Sequence, residues 1–333
     1  MSTPRINPVR LSRLCREAVD RCRLDLSGAI VLTEAATGAY VVTPILAALA
    51  GAGRVFALAR ASSYGTVEEV VEQTESLARA ASVSGVIEVM TEKTPEVIAL
   101  ADVVTNSGHV RPIDRAMVER MKPTSVVPLM YESWEFRDAD IDLQACRERG
   151  ILVAGTNERH PAVDVFSYLG IMAVKLLLDA EVAVFGSRIL LLSDNPFEPY
   201  IRRGLVAAGA SVKTAVDLVE GLGSDPVDAV VVAMQPRVGP ILGPLEAELL
   251  AKSHPGVVVG QFWGDLDRDA LDAVGIAFWP RTAPARGHMG ILPSGVGPEP
   301  IVRLQTGGLK VAEVLMKSRQ QVRDPDWEFV DAI

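Results

Sequence analysis

Short apolar runs of strand length alternate with segments of helical spacing along this 333-residue chain, and that alternation restricts it to parallel sheet covered by helices. Ala29–Thr33 reads as a strand, Thr43–Ala50 as a helix and Val55–Ala59 as a second strand. The pattern continues through a helix at Val67–Ala81, a strand at Gly85–Val89, a helix at Pro95–Leu100 and a strand at Val103–Thr105. Arg115–Met121 is helical and Ser125–Leu129 extended. Asp142–Arg149 is a helix ended by Gly150, Ile151–Ala154 a strand, and the polar turn Gly155–Pro161 opens a long apolar helix to Leu178. Further on, Ala229–Ala233 and Gly256–Gly260 are buried strands, and Ile301–Lys317 is a closing helix.

In such sheets ligands gather beyond the carboxyl ends of the strands. The loops there run Glu34–Gly38, Asn106–Arg111 and Met130–Glu135. Arg111 offers a bidentate fork for a substrate carboxylate, with His109 beside it; the alternative is an Arg111 paired with a nearby acid such as Asp114. Tyr131 and Trp134 would form walls. Arg159 and His160, in the polar turn after Ala154, supply further donors or else are solvated turn residues.

The length suggests two domains with ample chain for two cores. A net charge of -9, with no basic stripe, argues against a nucleic-acid partner. Cys15, Cys22 and Cys146 form no C-x-x-C pair, so a reduced cytoplasm is the default. The four histidines form no ligand cluster, and no metal is assigned. Tyr40–Ala59 is long enough to span a bilayer, but Pro44, the Gly51-Ala52-Gly53 break and Arg54 divide it into a core helix and a strand, so no membrane partner is expected. The start of the chain carries Arg5, Arg10, Arg13, Arg16, Arg21 and Arg23 on an amphipathic helix. Its apolar face, Leu11, Leu14, Cys15, Ala18 and Cys22, packs on the body or on a second copy of the chain.

Arg188–Val212 has the outline of a dinucleotide-binding strand, turn and helix: a strand at Ile189–Leu192, a helix at Tyr200–Ala208 and a stop at Gly209. Where a G-x-G-x-x-G turn has glycines, this chain has Ser193, Asn195 and Glu198. Pro196 and Pro199 each lack an N–H. Glu198, if it faces a phosphate at ~4 Å, repels it by roughly 4 kcal/mol at an effective dielectric of ~20, against about 0.3–2 kcal/mol of attraction from a helix terminus. The alternative is a self-capped helix with Asp194 or Asn195 as N-cap and Glu198 in the first turn.

The segment Ile141-Asp-Leu-Gln-Ala-Cys-Arg-Glu-Arg-Gly-Ile-Leu-Val-Ala-Gly-Thr-Asn157 resembles the D-isomer-specific 2-hydroxyacid dehydrogenase family, whose members include formate and glycerate dehydrogenases. The resemblance extends from about Ala101 to the end of the chain. It implies an α/β fold of two Rossmann-like domains with parallel sheets, the second inserted into the first. A flavodoxin-like substrate domain would comprise residues 1–165 and 300–333, and a degenerate dinucleotide-binding-like domain residues 166–299, with the active site in the cleft between them. A homodimer built through the second domain is also implied. The family's catalytic histidine stands in a Pro-His-x-Gly turn, which Arg286-Gly-His-Met-Gly290 matches with Gly287 in place of proline, so His288 carries over as acid or base. The family's substrate-binding Arg-Gly pair aligns with Trp263-Gly264, and no glutamate partner for the histidine occurs between residues 264 and 287.

Three functions follow. The first is an enzyme of small-molecule metabolism that binds a small anionic substrate, with His288 as acid/base, Trp263 as a wall and no standard NAD grip. The second is an NAD- or NADP-dependent 2-hydroxyacid dehydrogenase or 2-oxoacid reductase, with Ser193 and Asn195 as phosphate donors and Asp217 as ribose acceptor. The third is a binding or scaffold protein that keeps the fold and not the reaction.

Overall fold

The computed structural model describes residues 6–223, 225–318 and 325–333, so Arg5 lies outside the described residues. The chain divides into two compact units, Met1–Val165 with Pro298–Ile333, and Phe166–Gly297. Both are α/β, each with its own sheet. The second is inserted into the first along the sequence.

In the first unit, β1 (Ile30–Glu34), β2 (Arg54–Leu58), β3 (Ile87–Met90), β4 (Val103–Val104), β5 (Val126–Pro128) and β6 (Leu152–Thr156) are parallel and lie in the order β6-β5-β4-β1-β2-β3. The chain therefore reverses its direction of travel between β1 and β4, which opens a crevice beyond their carboxyl ends. Around this sheet are α1 (Pro8–Cys22), α2 (Val42–Leu49), α3 (Val67–Ala81), α4 (Pro95–Leu100), α5 (Arg115–Val118) and α6 (Leu143–Arg149). α1 buries Leu11, Cys15, Ala18 and Cys22 against α2, α3 and the closing helix, so its apolar face packs on its own unit. α2 is buried along almost its whole length, as the break at Gly51–Gly53 predicts. No helix among the described residues is long and apolar enough to cross a membrane.

The long apolar helix begins later than its spacing suggests. Residues 157–165 form turns, with Val165 N–H bonded to Glu158 O at 2.9 Å, and Asp164 at φ 45° breaks any helical path. After a short 3₁₀ turn, α7 (Leu169–Asp179) opens the second unit. There β7 (Arg188–Leu192), β8 (Ser211–Ala215), β9 (Ala229–Ala233), β10 (Val258–Trp263) and β11 (Ala277–Trp279) form a parallel sheet in the order β11-β10-β9-β7-β8. Its switch point lies between β7 and β9. α8 (Glu198–Ala207), α9 (Leu218–Gly221), α10 (Pro244–Ser253) and α11 (Arg268–Ala273) connect the strands. α7 and α8 touch backbone to backbone at Gly170 and Gly204, where a Cβ on Gly170 would stand 2.7 Å from Gly204 Cα.

The chain returns to the first unit as α12 (Glu299–Ser318), and the later strand β12 (Val330–Asp331) pairs antiparallel with β6. Lys310, 1% exposed, anchors this return: its Nζ meets Glu313 Oε1 at 3.0 Å and Asp326 Oδ2 at 2.5 Å, and donates to Arg23 O at 3.2 Å.

Candidate functional site

Beyond β1 and β4 the first unit gathers the polar groups that the sheet topology predicts. Thr105 donates to Thr33 across the strands at 2.8 Å and shares a second hydroxyl bond with Ser107 at 2.7 Å. Glu34, at the end of β1, is buried and accepts the His109 N–H at 3.3 Å. A Cβ on Gly108 would run into the Glu34 carboxylate, so any side chain there would have to displace it. Burial raises the Glu34 carboxyl above its ordinary value, against the lowering effects of the His109 N–H and Arg111. The His109 ring is held below its ordinary value by burial and by Arg60.

A second chain of bonds crosses from β4 to the loop after β5. Asn106 Nδ2 donates to Tyr131 Oη at 2.5 Å, Tyr131 donates on to Asp140 Oδ2 at 3.3 Å, and Arg111 Nη1 donates to that same oxygen at 2.7 Å. Arg111 is thus paired with Asp140 and not with Asp114, whose carboxylate instead caps α5 through Met117 N–H at 2.9 Å. Burial and the Asp140 charge push the Tyr131 phenol up to about 12. Within this network Asn106 Oδ1 is a buried acceptor with no partner.

The 3₁₀ turn Ser133–Glu135, after β5, is fastened from three sides. Trp134, 49% exposed, donates its Nε1 to Glu132 Oε2 at 2.8 Å, and Arg159 Nε donates to Glu132 Oε1 at 3.2 Å. The Glu158 carboxyl accepts the Glu132 N–H, and Asp331 Oδ2 accepts from Ser133 N at 2.7 Å and Oγ at 2.8 Å. Burial, then the neighbouring Glu132 charge, raises Glu135 to about 7; burial, Glu135 and Glu132 raise Glu158 well above the ordinary carboxylate range. His160 takes a different place, its ring stacked on Phe329 at 3.7 Å and its Nδ1 accepting the Ala162 N–H at 3.2 Å. His109, Arg111 and Tyr131 therefore share one cluster, Trp134 and Arg159 meet at Glu132, and His160 faces the segment leading to β12.

In the second unit, Asp194 and Asn195 bridge the switch point between β7 and β9. Asn195 Nδ2 donates to Ala233 O at 2.7 Å, and its Oδ1 accepts the Phe197 N–H at 3.0 Å. Asp194 Oδ1 accepts the Gln235 N–H at 2.8 Å, with Arg237 at 3.3 Å from its other oxygen. Asp194 does not cap the helix: from that position an N-cap bond would go to residue 196, a proline, or to the Phe197 N–H, which Asn195 takes. Asn195 makes a cap-like bond just ahead of α8, whose N-cap position falls on Phe197. Ser193 Oγ is buried with no hydrogen-bond partner. Asp217 caps α9, its carboxylate accepting the Val219 and Glu220 N–H groups at 2.8 and 3.1 Å.

Trp263 is not a pocket wall within this unit but a core residue, 5% exposed, packed on Phe197 and donating its Nε1 to Gly287 O at 3.0 Å. That bond fastens the turn carrying His288, whose own N–H bonds Ala285 O at 2.9 Å. Gly287 adopts φ +75°, which proline cannot, so the departure from the Pro-His pattern has a backbone reason. Its N–H meets Asp265 Oδ1 at 3.3 Å. Asp265 thus belongs to the histidine turn. Glu34 and Asn106 stand at the edges of two of the loops expected to hold ligand, but nothing local in the sequence marks either as buried. Asp140 carries no signal at all, because its partners lie 9 and 29 residues away.

No protein-family model matches the chain, and no curated protein sequence matches it. Among solved structures, a dipicolinate synthase from Bacillus halodurans superimposes with a TM-score of 0.53 at 13% identity, covering 89% of this chain and 99% of that one. The Bacillus subtilis dipicolinate synthase A chain gives 0.56 at 11% identity over 89% and 99%. The fold is that of these dipicolinate synthases. The matches also include D-2-hydroxyacid dehydrogenase family members, such as the NAD-dependent formate dehydrogenase from Staphylococcus aureus in complex with NAD, at 13% identity, 90% and 98% coverage and a TM-score of 0.41. The two dipicolinate synthases are therefore the structural reference for both sheets, and at 11–13% identity they are a reference for shape alone.

Proposed function

We propose that this chain is an enzyme of small-molecule metabolism on a 2-hydroxyacid-dehydrogenase-like scaffold, binding a small acid and acting without the usual dinucleotide seat. One observation carries the reading: Asp194 and Asn195 close the switch point of the second sheet. A pyrophosphate in that place relies on open backbone N–H groups. Here the Gln235 and Phe197 N–H groups already have side-chain acceptors, Pro196 and Pro199 have none to give, and the Asp194 carboxylate adds a like charge. Arg237, 3.3 Å from Asp194 Oδ2, offsets part of that charge, so the seat is closed chiefly by the occupied N–H groups and the two prolines.

In this reading the acid is held in the first unit. Asp140 takes one edge of the Arg111 fork, and a guanidinium carries five donors, so a second carboxylate has a face to use. His288 is the candidate acid or base of the second unit, carried on the turn fastened by Trp263 and Asp265.

Calorimetric titration with NADH and NADPH tests the proposal. No heat of binding is expected up to millimolar cofactor, together with thermal stabilisation by 2-hydroxy or 2-oxo acids that is lost in Arg111→Met. Micromolar binding of either cofactor, lost in Asn195→Arg, overturns it. The unpartnered Ser193 hydroxyl favours the second reading, an NAD(P)-dependent enzyme with a displaced cofactor, and the same titration decides between them.

A further inference from the structure

Basic side chains gather at the carboxyl ends of β2 and β3, on the far side of β1 from β4. Leu58 closes β2 opposite Glu34 of β1 and Met90 of β3, and the Ala59 N–H bonds Met90 O at 2.7 Å, so Arg60 leaves the sheet between the β1 and β3 loops. The Ser62–Gly65 turn that follows is tied to the loop after β1 by Thr37 Oγ1, which donates to Tyr64 O at 3.0 Å. Lys93, just beyond β3, reaches across to the Arg111 loop. Its Nζ donates to Val110 O at 2.8 Å and Pro112 O at 3.2 Å, with Met117 Sδ at 3.7 Å. His109 enters from that same loop, its backbone N–H held by Glu34.

Little in the fold neutralises this corner. Among the described residues neither Arg60 nor Lys93 meets a carboxylate at ion-pair distance, and the His109 ring nitrogens have no hydrogen-bond partner. The nearby acids are engaged: Glu34 on the His109 N–H, Asp114 as the cap of α5, Asp140 on Arg111. Glu92, beside Lys93 in the chain, is exposed. Burial and then the Arg60 charge lower both the Lys93 ammonium and the His109 ring, with Asp114 acting the other way on Lys93, as expected of groups crowded at one strand end. In a chain of net charge -9, uncompensated cations at the mouth of a sheet crevice are suited to an anion.

Resting on the reading that Arg111 holds a small acid, we propose that this acid carries a second anionic group, a carboxylate or a phosphate, seated between Arg60 and His109. Arg60 offers a planar fork of donors, and the His109 ring offers one more. Lys93 has spent its donors on the two carbonyls and the sulfur, so it adds charge and fixes the loop that sets Arg111 apart from Arg60. An acid with a single anionic group fills one seat and leaves the other to water.

Calorimetry with two pairs of probes tests this: lactate against malate, and glycerate against 3-phosphoglycerate, each pair differing by one acidic group. In at least one pair the doubly acidic member is expected to bind about tenfold or more tightly than its partner. Arg60→Met, at an exposed position, is expected to erase that margin and to leave lactate and glycerate unchanged. Arg202→Met removes an exposed charge of the second unit and is expected to preserve it. Equal affinity within both pairs, or a margin that survives Arg60→Met, overturns the second seat; lactate and glycerate that still bind and still need Arg111 would leave the first seat standing. If no probe binds, both seats fall together.

Discussion

Asp140 accepts hydrogen bonds on a single carboxylate oxygen from Arg111 at 2.7 Å and from Tyr131 at 3.3 Å, so one acid sets the state of both residues that the loops offer a ligand. Asp140→Asn removes the charge and keeps the shape. The Tyr131 phenol, now pushed up to about 12 chiefly by burial and next by Asp140, is expected to titrate at lower pH, as ultraviolet absorbance would show. Arg111, released from its partner, is expected to bind a carboxylate probe several-fold more tightly in calorimetry. An unchanged phenol titration would mean that the contact carries no electrostatic weight.

Glu34 and Glu135 both have raised carboxyl pKa values in the fold, which gives stability a definite pH dependence. A group raised in this way contributes its full stability below its unfolded value and loses it as pH climbs toward the folded value. Between the ordinary glutamate value and about 7, the folded chain binds more protons than the unfolded one, so unfolding free energy falls with rising pH, by about 1.4 kcal/mol per unit for each whole proton. Urea midpoints at pH 5 and pH 7.5 would register the loss, and Glu34→Gln is expected to flatten it. Because the lowered His109 acts in the opposite sense over the same range, it is a pH dependence left unchanged by Glu34→Gln that contradicts the assignment.

Gly204→Ala sets two effects against each other. Alanine gains about 1 kcal/mol of helix propensity over glycine. The added methyl meets the backbone of Gly170, which no rotamer change relieves, and overpacking of that kind costs about 1–3 kcal/mol or more. The clash is expected to win. Chemical denaturation should show net destabilisation, with Gly170→Ala behaving alike.

Lys310→Met leaves Glu313, 2% exposed at its side chain, without one of its two cations. Breaking a buried pair costs about 3–5 kcal/mol. Lys317 still reaches Glu313, and the Asp25 N–H donates to it at 2.8 Å, so the loss should fall at the lower end of that range. The double variant with Glu313→Leu is expected to recover part of it, measured in the same denaturation experiment.

The strands that carry the fold were legible because each is a Val, Ile or Leu run between turn residues. Asp142 and Gly150 bracket their helix in the sequence as they do in the structure, one as N-cap and the other in the left-handed region. β11 and β12 escaped notice because Ala277-Phe-Trp279 and Val330-Asp331 contain no run of Val, Ile or Leu. The site was less legible, and for a physical reason. Which arginine is neutralised, and by which acid, depends on loop paths: Asp114 is near Arg111 in the chain but is occupied in capping α5. The indole of Trp263, spelled like a wall, lies in the core because Gly287 O is placed to receive it.

The antiparallel strand β12 has a bearing on how this protein can be handled. It covers the outer hydrogen-bonding edge of β6, and Gly155 lies so close that a Cβ there would stand 3.2 Å from Asp331 O. A shortened chain ending before Phe329 would leave β6 as a bare ribbon of unpaired N–H and C=O groups, open to a neighbouring molecule's strand. Such a truncation is better judged by its tendency to clump in storage than by its melting point.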